Sequence, residues 1–459
     1  MRWFTCTPVA FGGGPDFFAR DSGLMCRGFQ ALGCESHAVM PGERQAGDEA
    51  DLIRTDYINL ESAEWWKSHH LDGVVLYAWG SPKYRKVAAA LHEAGVFLVL
   101  NQDNGGLVSP LAGFTRWLRE QWNLSGHGRS GLAYLQFLKL TVKGLGIGLL
   151  FTDPRRASHL KNGNLIACVS PVAAGHYRKL CRIYGGGNLS RRVVVIPHAV
   201  EPKFHYTKGP KHRRVVCIGR WQDIVQKRPW LMMEVIGSVV AADEQVEIAI
   251  VGKATSALET WHRSLPRDER NRVHLRGFMG RDDLADLLRE SQVFYSPSAF
   301  ESFGIAAAEA LCSGCSVVAG RSVSMASFEW FVSEDSGTLA EDDHAKGHVT
   351  ALRHELDHWS RADRNPGEIA AIWRKRLHAE QVAAITLKLS FPDPKIWRAR
   401  AHRLDGRRCV NRGGRTSTYD REVRQDHCAR RAVLHQSSAD LQFAGAVLHR
   451  EGHRGDRAC

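Results

Sequence analysis

Two successive sets of short apolar runs, each run followed by a helical stretch, constrain this chain more than any other feature. The first set holds Leu71–Tyr77, Gly95–Leu100, Leu165–Ser170 and Val193–Pro197, and Tyr84–Glu93 reads as a helix between the first two runs. The second holds Arg214–Gly219, Val246–Gly252, Val273–Leu275, Val293–Ser296 and Ser316–Ala319, with a helix at Leu284–Glu290. A strand that is apolar on both faces must be covered on both, which is the habit of parallel sheets flanked by helices. The polar stretch Glu201–Arg213 separates the sets and reads as a linker. The expected architecture is α/β, with two doubly wound Rossmann-like domains, 1–200 and 214–390, facing across a cleft. Ligands of such sheets sit at the carboxyl ends of the strands.

Composition supports an ordinary globular body. The 459 residues suffice for two or three domains, and 44% hydrophobic with 24% charged residues excludes a collagen, a coiled coil or a wholly disordered chain. Eleven cysteines are too sparse for a disulfide scaffold. The formal charge is +13, and about half of that excess lies from Arg398 onward, where 14 arginines, no lysine and 7 acidic residues occur. The body is therefore only mildly basic, which suits anionic ligands without demanding nucleic acid. Residues 401–459 lack either hydrophobic period and read as a disordered extension or the product of a shifted reading frame. Cys409 and Cys428 are spaced too widely for a zinc finger.

The N-terminal apolar run is too short for a signal peptide and breaks at Gly12-Gly13-Gly14, so it reads as a first strand entering a glycine loop. Gly131–Phe151 is the longest apolar stretch, but Lys139 and Lys143 interrupt it. A bilayer-spanning helix tolerates central lysines poorly, so an amphipathic helix is expected, buried in the domain or resting on a membrane surface. The expected location is cytoplasmic, with room for peripheral contact at the inner face of a membrane.

The chemistry concentrates in Ser296-Pro297-Ser298-Ala299-Phe300-Glu301-Ser302-Phe303-Gly304-Ile305-Ala306-Ala307-Ala308-Glu309. This segment joins a strand to a helix that ends near Gly314, a suitable C-cap. Gly304 lets the backbone approach a ligand, and the helix start offers free N–H groups and a positive dipole end, a phosphate-ready position. Glu301 precedes the helix and Glu309 lies more than one turn inside it, so the two carboxylates would meet different parts of one elongated ligand. Cys312-Ser313-Gly314-Cys315 is a single CxxC at a helix end and reads as core packing rather than metal or redox chemistry.

The segment resembles the Glu-x7-Glu signature of the family 4 (group 1) retaining glycosyltransferases, which have the two-domain GT-B fold. Gly219-Arg220 with Lys227 resembles that family's diphosphate clamp, spaced about two residues wider; Ala249–Gly252 and Val273–Phe278 resemble its next two strands. The resemblance covers roughly 1–400 and is strongest over 214–320. It implies that Arg220 and Lys227 neutralise a diphosphate leaving group and that Glu301 holds the transferring sugar near its anomeric centre. It further implies that Phe303, Gly304 and Ile305 offer backbone N–H groups, that Glu309 binds ribose hydroxyls, and that Gly252 turns the chain beside the donor. Gly12, Gly13 and Gly14 would let the N-terminal domain approach diphosphate and acceptor. Where the family often carries a histidine this chain has Asn101-Gln102-Asp103, which makes Asp103 the substitute, and its Pro-Asn-Gly turn appears as Pro197-His198-Ala199. Residues 391–400, with Trp397, would form the helix that crosses back to the N-terminal domain.

Independently of any family, cleaving a glycosyl phosphate bond builds positive charge on the sugar and negative charge on the diphosphate. Cations and a helix dipole aimed at the latter are the expected devices. The scheme needs no metal and no cofactor beyond the nucleotide-diphospho-sugar co-substrate, and no Asp-x-Asp stands out. The partners expected are that donor and a glycan, lipid-linked or small-molecule acceptor. Three rival readings are a non-catalytic nucleotide-sugar- or glycan-binding protein of the same fold, a sugar-nucleotide epimerase, and a nucleic-acid-binding protein working through its basic tail.

Overall fold

The runs of valine, leucine and isoleucine that dominate the sequence become the centres of two all-parallel sheets. The computed structural model describes residues 1–126 and 131–391. The segment 392–400 with Trp397, expected to cross back, and the Arg-rich stretch 401–459 lie outside the described residues. The first sheet comprises β1 (Trp3–Cys6), β2 (Ala38–Pro41), β3 (Leu52–Thr55), β4 (Gly73–Tyr77), β5 (Phe97–Gln102), β6 (Leu165–Cys168) and β7 (Val193–Val195), in the order β3-β2-β1-β4-β5-β6-β7. The second comprises β8 (His212–Ile218), β9 (Glu247–Val251), β10 (Val273–Gly277), β11 (Ser291–Ser296), β12 (Ser316–Gly320) and β13 (Gly337–Ala340), in the order β10-β9-β8-β11-β12-β13. Every residue of β4 and β12 is buried, as strands covered on both faces must be. Strand order reverses between β1 and β4 and again between β8 and β11. These reversals open the crevices where doubly wound sheets take ligands.

The helices that matter for the site are α1 (Pro15–Phe18), α2 (Asp21–Ala31), α3 (Phe114–Leu124), α4 (Gly131–Lys143), α5 (Asp153–Lys161), α6 (Pro171–Arg191), α7 (Pro229–Ala242), α8 (Arg281–Glu290), α9 (Ile305–Cys312), α10 (Pro366–Leu377) and α11 (Ala379–Ser390). Residues Gly144–Thr152 join α4 to α5 as a π-helical segment.

α11, which falls inside the expected 214–390 domain, packs on α2 of the first domain. Ala379, Val382, Ala383 and Leu387 enter the same cluster as Trp3, Phe29 and Val75. Gly28 permits the approach: a Cβ there would stand 2.4 Å from Ala379 O. The two chain crossings are stitched together, Val200 N–H donating to Leu377 O at 2.7 Å and Ala379 N–H to Val200 O at 3.1 Å. Burying Val382 and Leu387 contributes about 1.5–3 kcal/mol each, which anchors the last described helix to the N-terminal domain.

Candidate active site

The loop leaving β8 carries the expected cations. Its base is Trp221, fully buried, whose Nε1 donates to Val251 O at 3.0 Å. Gly252 has φ +119, and a Cβ there would lie 2.0 Å from Gly219 O. This glycine is therefore what allows the ends of β8 and β9 to meet. From that base Arg220 projects outward, 75% exposed, its Nη2 donating to Gln226 Oε1 at 3.0 Å. Lys227 points inward and forms a close ion pair with Glu301.

The loop leaving β11 meets it. The Glu301 carboxylate also accepts from Ser298 Oγ at 3.0 Å and from Gln226 Nε2 at 3.3 Å. Its own backbone N–H donates to Ser324 O at 2.9 Å, which fixes the loop against the next strand connection. Gly304 has φ +83, and a Cβ there would stand 2.6 Å from Phe328 Cε2, so both backbone conformation and space require glycine. Phe303 is buried between His198 and Phe331, with ring centroids 5.4 and 5.2 Å away. Ile305 opens α9. Among the described residues, the backbone N–H groups of Phe303, Gly304 and Ile305 donate to no backbone carbonyl, as expected at a helix start. Gly314, at φ +80, ends that helix as expected.

Arg228, which follows Lys227, was not singled out in the sequence, yet it holds the β11 loop in place. Its buried guanidinium donates to Pro297 O at 2.5 Å and Ser298 O at 3.1 Å, and pairs with Asp343 at 2.8 Å. Asp343 in turn lies 3.3 Å from His348 Nε2. Burial works against the Asp343 carboxylate, but hydrogen bonds from His348 and Arg228 outweigh it and hold its pKa at about 2.

From the N-terminal domain, Asp103 reaches the neighbour of Glu301 rather than standing free. Ser302 Oγ donates to Asp103 Oδ1 at 2.8 Å, and His198 Nε2 lies 3.0 Å from the same oxygen. His198 is fully enclosed, with Asp21 3.5 Å from its other nitrogen. Burial lowers the pKa of this imidazole, but the Asp103 carboxylate and more weakly Asp21 raise it further, to about 9. The folded pKa thus exceeds the ordinary 6.5. The pair's stabilisation is complete below pH ~6.5 and is lost as pH rises through ~9, to the extent of at most about 3 kcal/mol. We expect urea midpoints to fall between pH 6.5 and 9.5, and this fall to vanish in His198→Gln. An unchanged pH slope in that variant would remove His198 as the source.

Glu309 lies in a separate cluster. It is buried, and Arg281 Nη1 stands 2.8 Å from its Oε1 while Arg281 Nη2 pairs with Glu201 at 2.6 Å. Burial raises the Glu309 pKa against the lowering effect of Arg281. The linker residue Glu201 is therefore part of this cluster rather than a bare connection. Gly13 likewise does more than loosen a turn, since a Cβ there would fall 2.2 Å from Leu52 Cδ2 and 2.3 Å from Asp48 Oδ1. Asp48 is locked by Arg54, whose Nη2 also donates to Phe11 O at 2.7 Å. Gly12 faces open space, and Gly14 caps the short α1.

The structure thus brings Lys227, Glu301, Gln226 and Ser298 together, with Arg220 at the margin and Asp103 joined through Ser302. Glu309 and Gly12–Gly14 stand apart from that group. Cys312 and Cys315 are buried, the latter donating to Leu288 O at 3.0 Å and Ser291 O at 3.1 Å, so the CxxC is core. Among the described residues no group of three His, Cys, Asp or Glu side chains is placed to hold a metal.

Residues 212–358 match the family described as "Glycosyl transferases group 1". No curated protein matches the sequence. Among solved structures, the lipopolysaccharide outer core galactosyltransferase WaaB in its apo form is 11% identical at TM-score 0.57, over 85% of this chain and 99% of that one. HepE of Anabaena in complex with UDP is 14% identical at TM-score 0.55, over 84% and 99%. Sucrose-phosphate synthase from Thermosynechococcus elongatus is 15% identical at TM-score 0.51, over 85% and 98%. Both Rossmann-like halves therefore follow the GT-B glycosyltransferase fold, and the half that carries Lys227 and Glu301 holds the stretch that matches the group 1 glycosyl transferases.

Proposed function

We propose that this protein transfers a sugar from a nucleotide-diphospho-sugar to an acceptor hydroxyl, with retention at the anomeric carbon. The observation that carries the reading is the Lys227–Glu301 pair, seated where strand order reverses between β8 and β11 and joined through Ser302 to Asp103 of the facing domain. In the reaction the bond between anomeric carbon and phosphate oxygen breaks, its electron pair leaving with the diphosphate. A bond from the acceptor oxygen forms, and the acceptor proton passes to the leaving phosphate or to solvent.

Lys227 and Arg220 neutralise the charge that develops on the diphosphate, Lys227 exchanging its partner Glu301 for phosphate oxygens. Glu301 then turns to the sugar hydroxyls near the anomeric centre. The N–H groups of Phe303, Gly304 and Ile305 hold sugar or phosphate at the α9 start. Glu309 takes the ribose hydroxyls once Arg281 gives way, Gly252 keeps the β8 and β9 ends close under the donor, and the Gly12–Gly14 loop and Asp103 close the site from the N-terminal side. HepE binds UDP, which makes uridine nucleotides the first donors to try. The acceptor is a glycan, a lipid-linked sugar or a small molecule. The cysteines among the described residues are free and buried, which supports a cytoplasmic location.

A thermal-shift series with UDP-, GDP- and ADP-sugars tests the reading, because a ligand that binds only the folded state raises the melting temperature. One nucleotide series is expected to stabilise the wild type and to stabilise Lys227→Ala less. A failure of every series to shift a folded protein would sink the transferase reading. Conversion of the donor sugar with no acceptor present would replace it with an epimerase.

A further inference from the structure

The longest apolar stretch of the sequence folds as a helix that the protein does not cover. Along α4 and the π-helical segment after it, Leu132 is 74% exposed, Leu135 64%, Leu138 58% and Leu150 69%, and Tyr134, Val142, Ile147 and Phe151 are exposed too. A patch of this extent on a soluble domain marks an interaction surface. We propose that this helix seats the protein on an anionic lipid bilayer, lying in the interface rather than crossing it.

The charge pattern selects lipid over protein as the occupant. Between Phe114 and Lys161 the described exposed charges are all basic: Arg116, Arg119, Lys139, Lys143, Arg155 and Lys161. The two acidic residues of that stretch are turned inward. Asp153 is buried against Arg156 at 2.6 Å, and Glu120 is largely covered, its carboxyl pKa raised by burial. An apolar face fringed by lysine and arginine, with no exposed acid, complements an anionic headgroup layer, while lysine stems can lie along the acyl boundary.

Geometry sets the depth. The 22 residues from Gly131 to Thr152 span about 33 Å, enough to cross a bilayer. Both ends and the middle are nevertheless fastened to one domain. Trp122 packs on Tyr134 and Phe137 with ring centroids at 5.2 and 5.4 Å. Gly144 lies so close to Trp117 that a Cβ would stand 2.3 Å from its Cζ2, and Asp153 closes the far end. The helix therefore lies along the domain with one side outward. The same α3 that supports it ends in Asn123, whose Nδ2 donates to Ser322 Oγ at 3.0 Å and Ser324 Oγ at 2.7 Å, beside the backbone that holds Glu301. The lipid-facing element thus adjoins the cleft, although the docking itself does not depend on the transferase reading.

The test is co-sedimentation of the full chain with vesicles of phosphatidylcholine alone or with 30% phosphatidylglycerol. Wild type is expected to pellet with the anionic vesicles. Leu135→Glu/Leu138→Glu should lower the bound fraction at least tenfold, and Lys139→Gln/Lys143→Gln should weaken binding by about fivefold per lysine removed. All these side chains are exposed, so melting temperatures should match the wild type, which separates lost docking from lost folding. The leucine variant retains the Arg-rich stretch from Arg398 onward; vesicle binding that persists in it would place docking elsewhere and overturn the proposal. No pelleting of the wild type would overturn it too. Self-association abolished by the leucine pair without vesicle binding would assign the face to a second copy of the chain instead.

Discussion

Lys227→Ala should lower the rate of sugar transfer by about 10²–10³-fold, a loss of about 2.7–4 kcal/mol of transition-state stabilisation. The ammonium is nearly enclosed, with 16% of its side chain exposed, so its attraction for charge developing on a diphosphate is weakly screened. The exposed Arg220, by contrast, works in high dielectric, and Arg220→Ala should cost markedly less in rate and within about 0.5 kcal/mol in stability. Initial rates against donor concentration check both. A role in the transition state lowers kcat in Lys227→Ala, whereas a role in donor binding alone raises KM with kcat kept. If neither parameter moves in a folded variant, Lys227 is not the diphosphate clamp.

Arg228→Ala should destabilise the fold by about 1.5–3 kcal/mol, because it strips a partly buried carboxylate and two loop carbonyls of a buried charged donor. Arg228 is 2% exposed and carries the Asp343 pair together with the Pro297 and Ser298 carbonyls. Asp343 sets the pH window. Its folded pKa of about 2 lies below the ordinary 3.8, so its contribution is present above pH ~3.8 and disappears as pH falls through ~2. In Arg228→Ala the carboxyl protonates at higher pH, and acid unfolding should begin earlier. Urea denaturation of Arg228→Ala, Asp343→Ala and the double variant measures the coupling; the double variant should be less damaged than the sum of the two. A loss below 1 kcal/mol in Arg228→Ala would show that the loop is held by other contacts. The Ser298 hydroxyl donates to Glu301, so a loosened loop should also lower transfer by Arg228→Ala.

Strands buried on both faces announce themselves as unbroken apolar runs, and β4, β5, β8, β9, β11 and β12 were legible for that reason. The short edge strands β3 (Leu52–Thr55) and β13 (Gly337–Ala340) escaped because mixed burial leaves no such run, and β2, though fully buried, because four residues closed by Pro41 are too short to stand out. The loop-to-helix turns were legible through glycines whose conformations no other residue adopts easily, Gly252 and Gly304 among them. Helical periodicity shows that a helix has an apolar face but not which sheet that face meets. The pattern of Ala379–Ser390 therefore does not say that this helix packs on α2 of the first half.

Local pattern alone determined that the chain makes two doubly wound halves and that Glu301 leaves a strand end suited to a ligand, while Lys227 stood out only through the family resemblance. Only the tertiary structure decided their company. Arg281 covers Glu309 and binds Glu201 from 80 residues away, Asp103 meets Ser302 from 199 residues away, and Arg228 finds Asp343 from 115 residues away. No spacing rule encodes such partners, because a charge placed on a loop pairs with whatever the packed sheets bring within reach. The exposed helix followed the same division: its apolar length was plain in the sequence, but only packing against Trp117 and Trp122 revealed which side is left without cover.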